Sequence, residues 1–180
     1  MPVITATKKR ATKKTSKKVK AAKPSKNNVK PKLYASLVVQ LLSLLKGEHD
    51  FIANAANFSA LLFSSLPNVN WAGFYLLKDD ELVLGPFQGN PACARIPMGK
   101  GVVGVAAKRV ETIIVPNVHE FPGHIACDSA SNSEIVVPLI KEARLIGVLD
   151  LDSPSPARFD KEDARGLEGL ARILLASVQS

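Results

Sequence analysis

The chain has 180 residues and is 46% hydrophobic, which is enough for one core of ordinary size. Its net charge of +8 is uneven: residues 1–32 hold 12 of the 24 Lys and Arg residues and none of the 16 acidic residues, so the remainder carries −4. No stretch approaches the roughly 20 apolar residues of a membrane span, and no charged-then-apolar start resembles a secretion signal. We therefore expect a soluble, cytoplasmic protein whose two cysteines are free, reactive or transiently paired.

The basic segment over residues 1–32 has no apolar run that could bury surface, so we predict a disordered tail before one folded domain over residues 33–180. Three roles stay open for this tail: a nuclear or organellar address, an arm that contacts nucleic-acid phosphates, or a solvated extension. A mitochondrial presequence would favour Arg and an amphipathic apolar face, and neither is present.

The domain begins with two predicted helices. Apolar residues recur at helical spacing over residues 34–46, and a second helix runs from a cap at Asp50 to Pro67. The period then changes to the alternation of a strand hairpin over residues 71–77 and 82–87.

A loop around Cys93, a short helix over residues 102–108 and a strand over residues 112–115 follow. The loop over residues 116–132 is long for a compact domain and is a candidate functional element. Strands over residues 135–140 and 145–152 form another hairpin, and a helix capped by Asp160 closes the chain. This order predicts an α+β fold, a mostly antiparallel sheet with helices packed on one face, and disfavours a Rossmann fold.

Two short motifs resemble known binding sites but lack the features that those sites require. Residues 99–104 have the spacing of a dinucleotide fingerprint, but Pro97 interrupts any preceding strand, so we interpret them as a tight turn into a helix. His119 and His124 are five residues apart, with a Pro-Gly pair between them, whereas a zinc-protease helix needs a spacing of four. We expect no metal site and no bound cofactor.

The strand over residues 71–77 places Trp71, Gly73 and Tyr75 on one face. Because the opposite face is apolar too, both faces must be covered. The three residues are either ordinary core or the wall of a pocket, in which the small Gly73 leaves space between the rings.

The strand over residues 145–152 is apolar on one face, and its other face turns acidic toward the end, with Ile146, Val148, Asp150 and Asp152 in sequence. Glu134, at the start of the neighbouring strand, could add a third carboxylate. The acids are either surface residues and turn caps or a buried cluster. In a buried cluster mutual repulsion would raise at least one pKa, so that one group keeps a proton near neutral pH.

A lone cysteine is usually a small buried apolar residue. Cys93 and Cys127, however, both lie in loops, and two loops can approach each other to form a disulfide where two core strands cannot. A reactive role for the pair is therefore open.

Five segments together resemble the free methionine-(R)-sulfoxide reductases: Asn70–Tyr75, Gly85–Gly89, Gly123–Asp128, Ser131–Glu134 and Gly147–Ser153. The resemblance extends from Tyr34 to the C-terminal helix. It implies a GAF domain, commonly a homodimer, that reduces free methionine (R)-sulfoxide under oxidative stress and is recycled by thioredoxin.

The resemblance also implies roles for individual residues. Cys127 would be the nucleophile and Cys93 the resolving cysteine. Trp71 and Tyr75 would enclose the methyl-sulfoxide end of the substrate. The carboxylates that bind the ammonium group and polarise or protonate the sulfoxide oxygen would be Glu134, Asp150 and Asp152. Many members carry a third cysteine where this chain has Val103, so Cys93 must resolve alone.

Two rival functions remain. A GAF sensor would bind a small ligand in the same pocket without consuming it. A nucleic-acid-binding protein would act through the basic tail and bind in a salt-sensitive way.

Overall fold

The structure, a computed structural model, describes residues 29–125 and 127–178. Its helices are α1 (Val29–Leu44), α2 (Phe51–Ser65), α3 (Gly101–Arg109) and α4 (Lys161–Ser177). Its strands are β1 (Trp71–Lys78), β2 (Glu81–Gly89), β3 (Arg95–Pro97), β4 (Ile113–Val115), β5 (Ser133–Lys141) and β6 (Arg144–Ser153). Within these residues, no helix has the length and apolar character needed to cross a membrane.

The strands form one sheet in the order β3-β2-β1-β6-β5-β4, and every neighbouring pair is antiparallel. This confirms the predicted α+β class. Strands β1 and β6 lie side by side at the centre, and most residues of both strands are buried.

Helices cover both faces of the sheet, not one as predicted. One core joins α1, α2 and α4 to the face that carries Phe74 and Leu149, whereas α3 and the long loops form a second core with Trp71 and Tyr75. The reason lies in β1, whose two faces are both apolar and would each expose large side chains if left bare.

Two expectations need correction, one about where α1 begins and one about the face on which Ile146 lies. Helix α1 begins at Val29, so residues 29–32 of the predicted tail are helical, and Lys30 pairs with Asp160 and Asp163 at the start of α4. The rest of the predicted tail lies outside the described residues. The face assigned to Ile146 was also wrong: a register shift in the β5–β6 pairing turns this residue toward the helices of the first core.

Candidate active site

The register of three strands gathers the acidic residues that the sequence singled out. Asp152 lies opposite Trp71 of β1 on one side and Glu134 of β5 on the other, and Asp150 lies opposite Gly73. Residues directly opposite on neighbouring strands share a face. The three carboxylates and the aromatic residues of β1 therefore meet on the face that α3 covers.

The aromatic wall is a stack. The Trp71 ring lies between Tyr75, with ring centroids 5.9 Å apart, and Phe87, with centroids 5.3 Å apart. A Cβ on Gly73 would lie 2.6 Å from Trp71 Cη2. The indole ring thus fills the space that a side chain at position 73 would need. Gly73 therefore does not leave the open space between the rings that the sequence suggested.

The acids are a buried cluster, and not surface residues or turn caps. Glu134 and Asp150 are only 5% and 4% exposed, and Asp152 is half-buried. Burial, followed by repulsion between the carboxylates, raises the pKa of Asp150 well above its usual range, and burial with repulsion from Asp152 does the same for Glu134. Burial raises the pKa of Asp152 to about 7, although a hydrogen bond with Ser131 acts the other way. Because the pKa of Asp152 lies near 7 and those of its two neighbours are raised, the cluster can hold a proton near neutral pH.

Asp150 also has an unfilled position. Its Oδ1 is buried and finds no hydrogen-bond partner in the described part of the protein. A buried acceptor without a partner costs free energy. This cost is removed when a donor such as an ammonium group enters the cleft and hydrogen-bonds to the oxygen.

The two cysteines are joined. A disulfide links Cys93, in the loop between β2 and β3, with Cys127, in the loop between β4 and β5, with Cα atoms 5.4 Å apart. The two loops thus meet at the disulfide, although 34 residues separate the cysteines in sequence.

Cys127, Trp71, Tyr75 and the three carboxylates all line one cleft of about 480 Å³ that is partly open to solvent. This volume includes open solvent at the edge of the cleft, and the enclosed space is only about 40 Å³, below the about 300–1,000 Å³ of most small-molecule sites. The first residues of α3, Val103 among them, line the cleft on another side.

Residues 99–104 form the turn into α3, as interpreted from the sequence. Gly99 and Gly101 have positive φ angles, and Gly99 N–H donates to Gly104 O over 2.8 Å. The expectation that no strand precedes this turn was wrong, because β3 extends to Pro97. An edge strand tolerates proline at its end, and β3 runs antiparallel to its neighbour, unlike a Rossmann strand.

His119 and His124 lie ring edge to ring face, with centroids 6.4 Å apart. His124 lines the cleft, and burial followed by the nearby His119 lowers its pKa. In the described ranges no group of His, Cys, Asp and Glu has the arrangement of a metal site. Both cysteines, which could have completed a ligand set, are bonded to each other.

Sequence reasoning gave no role to a set of polar residues around the cysteine loops. Asp128 accepts hydrogen bonds from the side-chain amides of Asn70 and Asn90, and Asn70 also donates to Ser131 Oγ. The only signal in the sequence was that Asp128 follows Cys127. The contact itself joins segments up to 58 residues apart.

Comparisons with known proteins identify the family of this chain. The family model of the GAF domain matches residues 60–177. The free methionine-R-sulfoxide reductase of Escherichia coli strain K12 is 55% identical over 145 residues, which are 81% of this chain and 88% of that protein. The chain belongs to the free methionine-R-sulfoxide reductase family. The family, as the motifs implied, is built on a GAF domain.

Two further members of the family align over similar lengths. The free methionine-R-sulfoxide reductase of Saccharomyces cerevisiae is 42% identical over 158 residues, covering 83% of this chain and 88% of that protein. The free methionine-R-sulfoxide reductase of Neisseria meningitidis, solved in complex with its substrate, is 48% identical, with a TM-score of 0.80 over 83% of this chain and 90% of that one.

Proposed function

We propose that this chain reduces free L-methionine (R)-sulfoxide to methionine, with Cys127 as the nucleophile. The observation that carries the proposal is the placement of Cys127 in the same cleft as three buried carboxylates of raised pKa. A sulfoxide sulfur becomes a good electrophile only when its oxygen is protonated. The cleft supplies both a thiol and an acid.

The first step transfers oxygen. The Cys127 thiolate attacks the sulfur of the substrate while a carboxylic acid of the cluster protonates the sulfoxide oxygen. The hydroxyl group then passes from the substrate sulfur to the Cys127 sulfur as the substrate S–O bond and the new bond between the two sulfurs break, so that methionine leaves and Cys127 is oxidised to a sulfenic acid. The Cys93 thiol then condenses with this sulfenic acid, releasing one water and leaving the disulfide that joins the two loops.

The carboxylates would also select the substrate. An ammonium group that enters the cleft gives Asp150 Oδ1 the donor that it lacks, and it offsets the repulsion within the cluster. A methionine sulfoxide within a peptide has no such ammonium group. Trp71 and Tyr75 would enclose the methyl end of the substrate, as the resemblance implies.

The cycle needs an external reductant, and two more features of the family enter the proposal here. Thioredoxin would reduce the Cys93–Cys127 disulfide and so return the enzyme to its reduced form for the next turnover. The chain would also act as a homodimer, which light scattering of the purified protein measures directly.

Single-turnover assays of cysteine variants test the proposed chemistry. Reduced Cys127→Ser should release no methionine, because the nucleophile is gone. Reduced Cys93→Ser should release about one equivalent and accumulate the sulfenic acid, since the first step does not need Cys93. Turnover by Cys127→Ser would contradict the proposal, and substrate binding without methionine release by the wild type would favour a sensor.

A further inference from the structure

The loop that carries Cys93 is held at several points. The Trp71 indole N–H donates to Asn90 O over 3.1 Å, the Tyr75 hydroxyl donates to Cys93 O over 3.1 Å, and Leu84 N–H donates to Ala94 O over 3.0 Å. These bonds tie the loop to β1 and β2. They leave open what ties it to the loop of Cys127.

The Asn90 side chain makes that connection. Its Nδ2 donates to Asp128 Oδ2 over 3.1 Å, and Asp128 is the residue that follows Cys127. Apart from the disulfide, this is the only bond between the two cysteine loops in the part of the chain that the structure describes.

Asp128 itself is fixed from its other side. Its Oδ1 accepts from Ala130 N–H over 2.9 Å, and Asn70 Nδ2 lies 3.4 Å from Oδ2. Asn70 belongs to the residues that lead into β1, so the carboxylate is anchored to the sheet. Asn90 therefore binds to a stationary acceptor, and the hydrogen bond limits the movement of the Cys93 loop.

We propose that Asn90 is a positioning residue for the second step, and that its hydrogen bond with Asp128 holds Cys93 within reach of oxidised Cys127. We call this hydrogen bond the loop latch. The inference rests on the proposed function, because it assigns Asn90 to the condensation of the Cys127 sulfenic acid with the Cys93 thiol. Each condensation forms the S–S bond, breaks the S–O bond and releases water.

The latch raises the effective concentration of one thiol near the other, as any tether does. Asn90 is exposed and does not line the cleft, whereas its partner Asp128 does. Because Asp128 keeps its hydrogen bonds with Asn70 and Ala130 when the Asn90 side chain is changed, loss of the latch should slow the second step and leave the first step unchanged. Both backbone contacts of the loop with Trp71 and Tyr75 survive a change of the Asn90 side chain.

The test uses reduced full-length protein, one equivalent of free methionine (R)-sulfoxide, and dimedone to trap the sulfenic acid before it condenses. In Asn90→Ala we expect unchanged methionine release and a dimedone adduct about five-fold more abundant relative to the disulfide, since one solvent-exposed hydrogen bond is lost. The same five-fold fall in effective concentration raises the disulfide reduction potential by about 20 mV.

Asn90→Asp adds a second, sharper readout. The new carboxylate faces Asp128 across the distance that the hydrogen bond spanned, so the adduct should increase further, and salt should reduce this extra increase by screening the repulsion. The control is Asn117→Ala, which removes two hydrogen bonds within the Cys127 loop, from Asn117 Nδ2 to Glu120 and from His119 N–H to Asn117 Oδ1, and none between the two cysteine loops.

Three results would overturn the latch while the proposed function stands: wild-type adduct levels in both Asn90 variants, an equal increase in Asn117→Ala, or no salt dependence in Asn90→Asp. Failure of the wild type to release methionine would overturn the proposed function instead. The two failures are read from different products, the thiol adduct and methionine.

Discussion

At the scale of single residues, the cluster of Glu134, Asp150 and Asp152 has two properties that pull in opposite directions. Burial raises the pKa values of the acids, so that they keep the proton that the proposed chemistry needs. The same burial lowers the stability of the folded chain once the acids are ionised. Proton donation and stability should therefore respond differently when one of these acids is replaced by its amide.

Catalysis should depend on the proton that the cluster holds. Among Glu134→Gln, Asp150→Asn and Asp152→Asn, we expect the variant that lacks the proton donor to lose about 10²- to 10⁴-fold in kcat/KM for free methionine (R)-sulfoxide. Steady-state methionine release measures this loss. Glu111→Gln, an exposed acid far from the cleft, is the control, and three amide variants that all stay within a few-fold of it would argue against acid catalysis by this cluster.

Stability should fall as the cluster ionises. Because the pKa of each of these acids is higher in the folded chain than in the unfolded chain, the unfolded chain loses protons first, and the free energy of unfolding decreases as the pH rises from about 4 through 7. Asp150→Asn removes one charge and keeps the shape. It should be more stable than the wild type by about 1–3 kcal/mol at pH 8, and this advantage should shrink as the pH falls toward 4.

Urea unfolding of both proteins in their disulfide forms across this pH range measures the difference. Wild-type stability that stays flat from pH 5 to pH 8, or an Asp150→Asn protein that is weaker at pH 8, would show that the cluster does not titrate in this way.

At the scale of elements, most boundaries followed from local signals. The N-cap at Asp50, whose side chain accepts from Ala53 N–H, fixes the start of α2, and the alternation of β1 was predicted to within one residue. Helix α1 begins earlier than predicted because residues 29–32 lack the apolar periodicity that marked the rest of the helix, and proline at position 31 is tolerated in the first turn. The shift at Ile146 had no local signal, since a bulge depends on the partner strand.

The site divides in the same way. Alternation along two strands placed Trp71, Tyr75, Asp150 and Asp152 on their faces, and strand pairing then brought Glu134 opposite Asp152. The loop latch could not be predicted, because no periodicity relates residues in two separate loops, and only the fold brings Asn90 to Asp128.

Helix α4 offers a matched pair of glycines for testing the contact between α1 and α4. A Cβ on Gly166 would collide with the Tyr34 ring, whereas a Cβ on Gly169 would meet only the end of the Arg172 side chain at 3.9 Å. Gly169→Ala should stabilise the protein by about 0.5–1 kcal/mol through helix propensity. Gly166→Ala should destabilise it by about 1–3 kcal/mol, because α1 must move away.

Thermal or urea unfolding measures both variants, and each is the control for the other. Equal effects of the two substitutions would mean that α1 does not pack closely on α4 at Gly166.

At the scale of the whole molecule, the described structure begins at Val29 with α1, and most of the basic residues of the first 32 positions precede it. Lys30 belongs to the folded part because it pairs with Asp160 and Asp163. A chain that lacks residues 1–28 should therefore keep kcat and KM for the free sulfoxide within two-fold of the full chain.

A chain that lacks residues 1–32 is the control, since it also loses Lys30 and the first turn of α1. It should unfold at lower urea concentration than the chain that lacks residues 1–28. If removal of residues 1–28 alone changed kcat several-fold, the basic segment would take part in the reaction.

The proposed function depends on the identity of the substrate. The most direct test measures methionine release by the reduced full-length protein, with dithiothreitol as reductant, from the free (R) sulfoxide, the free (S) sulfoxide and a peptide-bound (R) sulfoxide. We expect turnover of the free (R) form alone. Only this form offers both an ammonium group to the buried carboxylates and a sulfoxide of the required configuration. Equal turnover of the peptide-bound form would contradict selection by the acidic cluster, and no turnover of the free (R) form would contradict the proposed function.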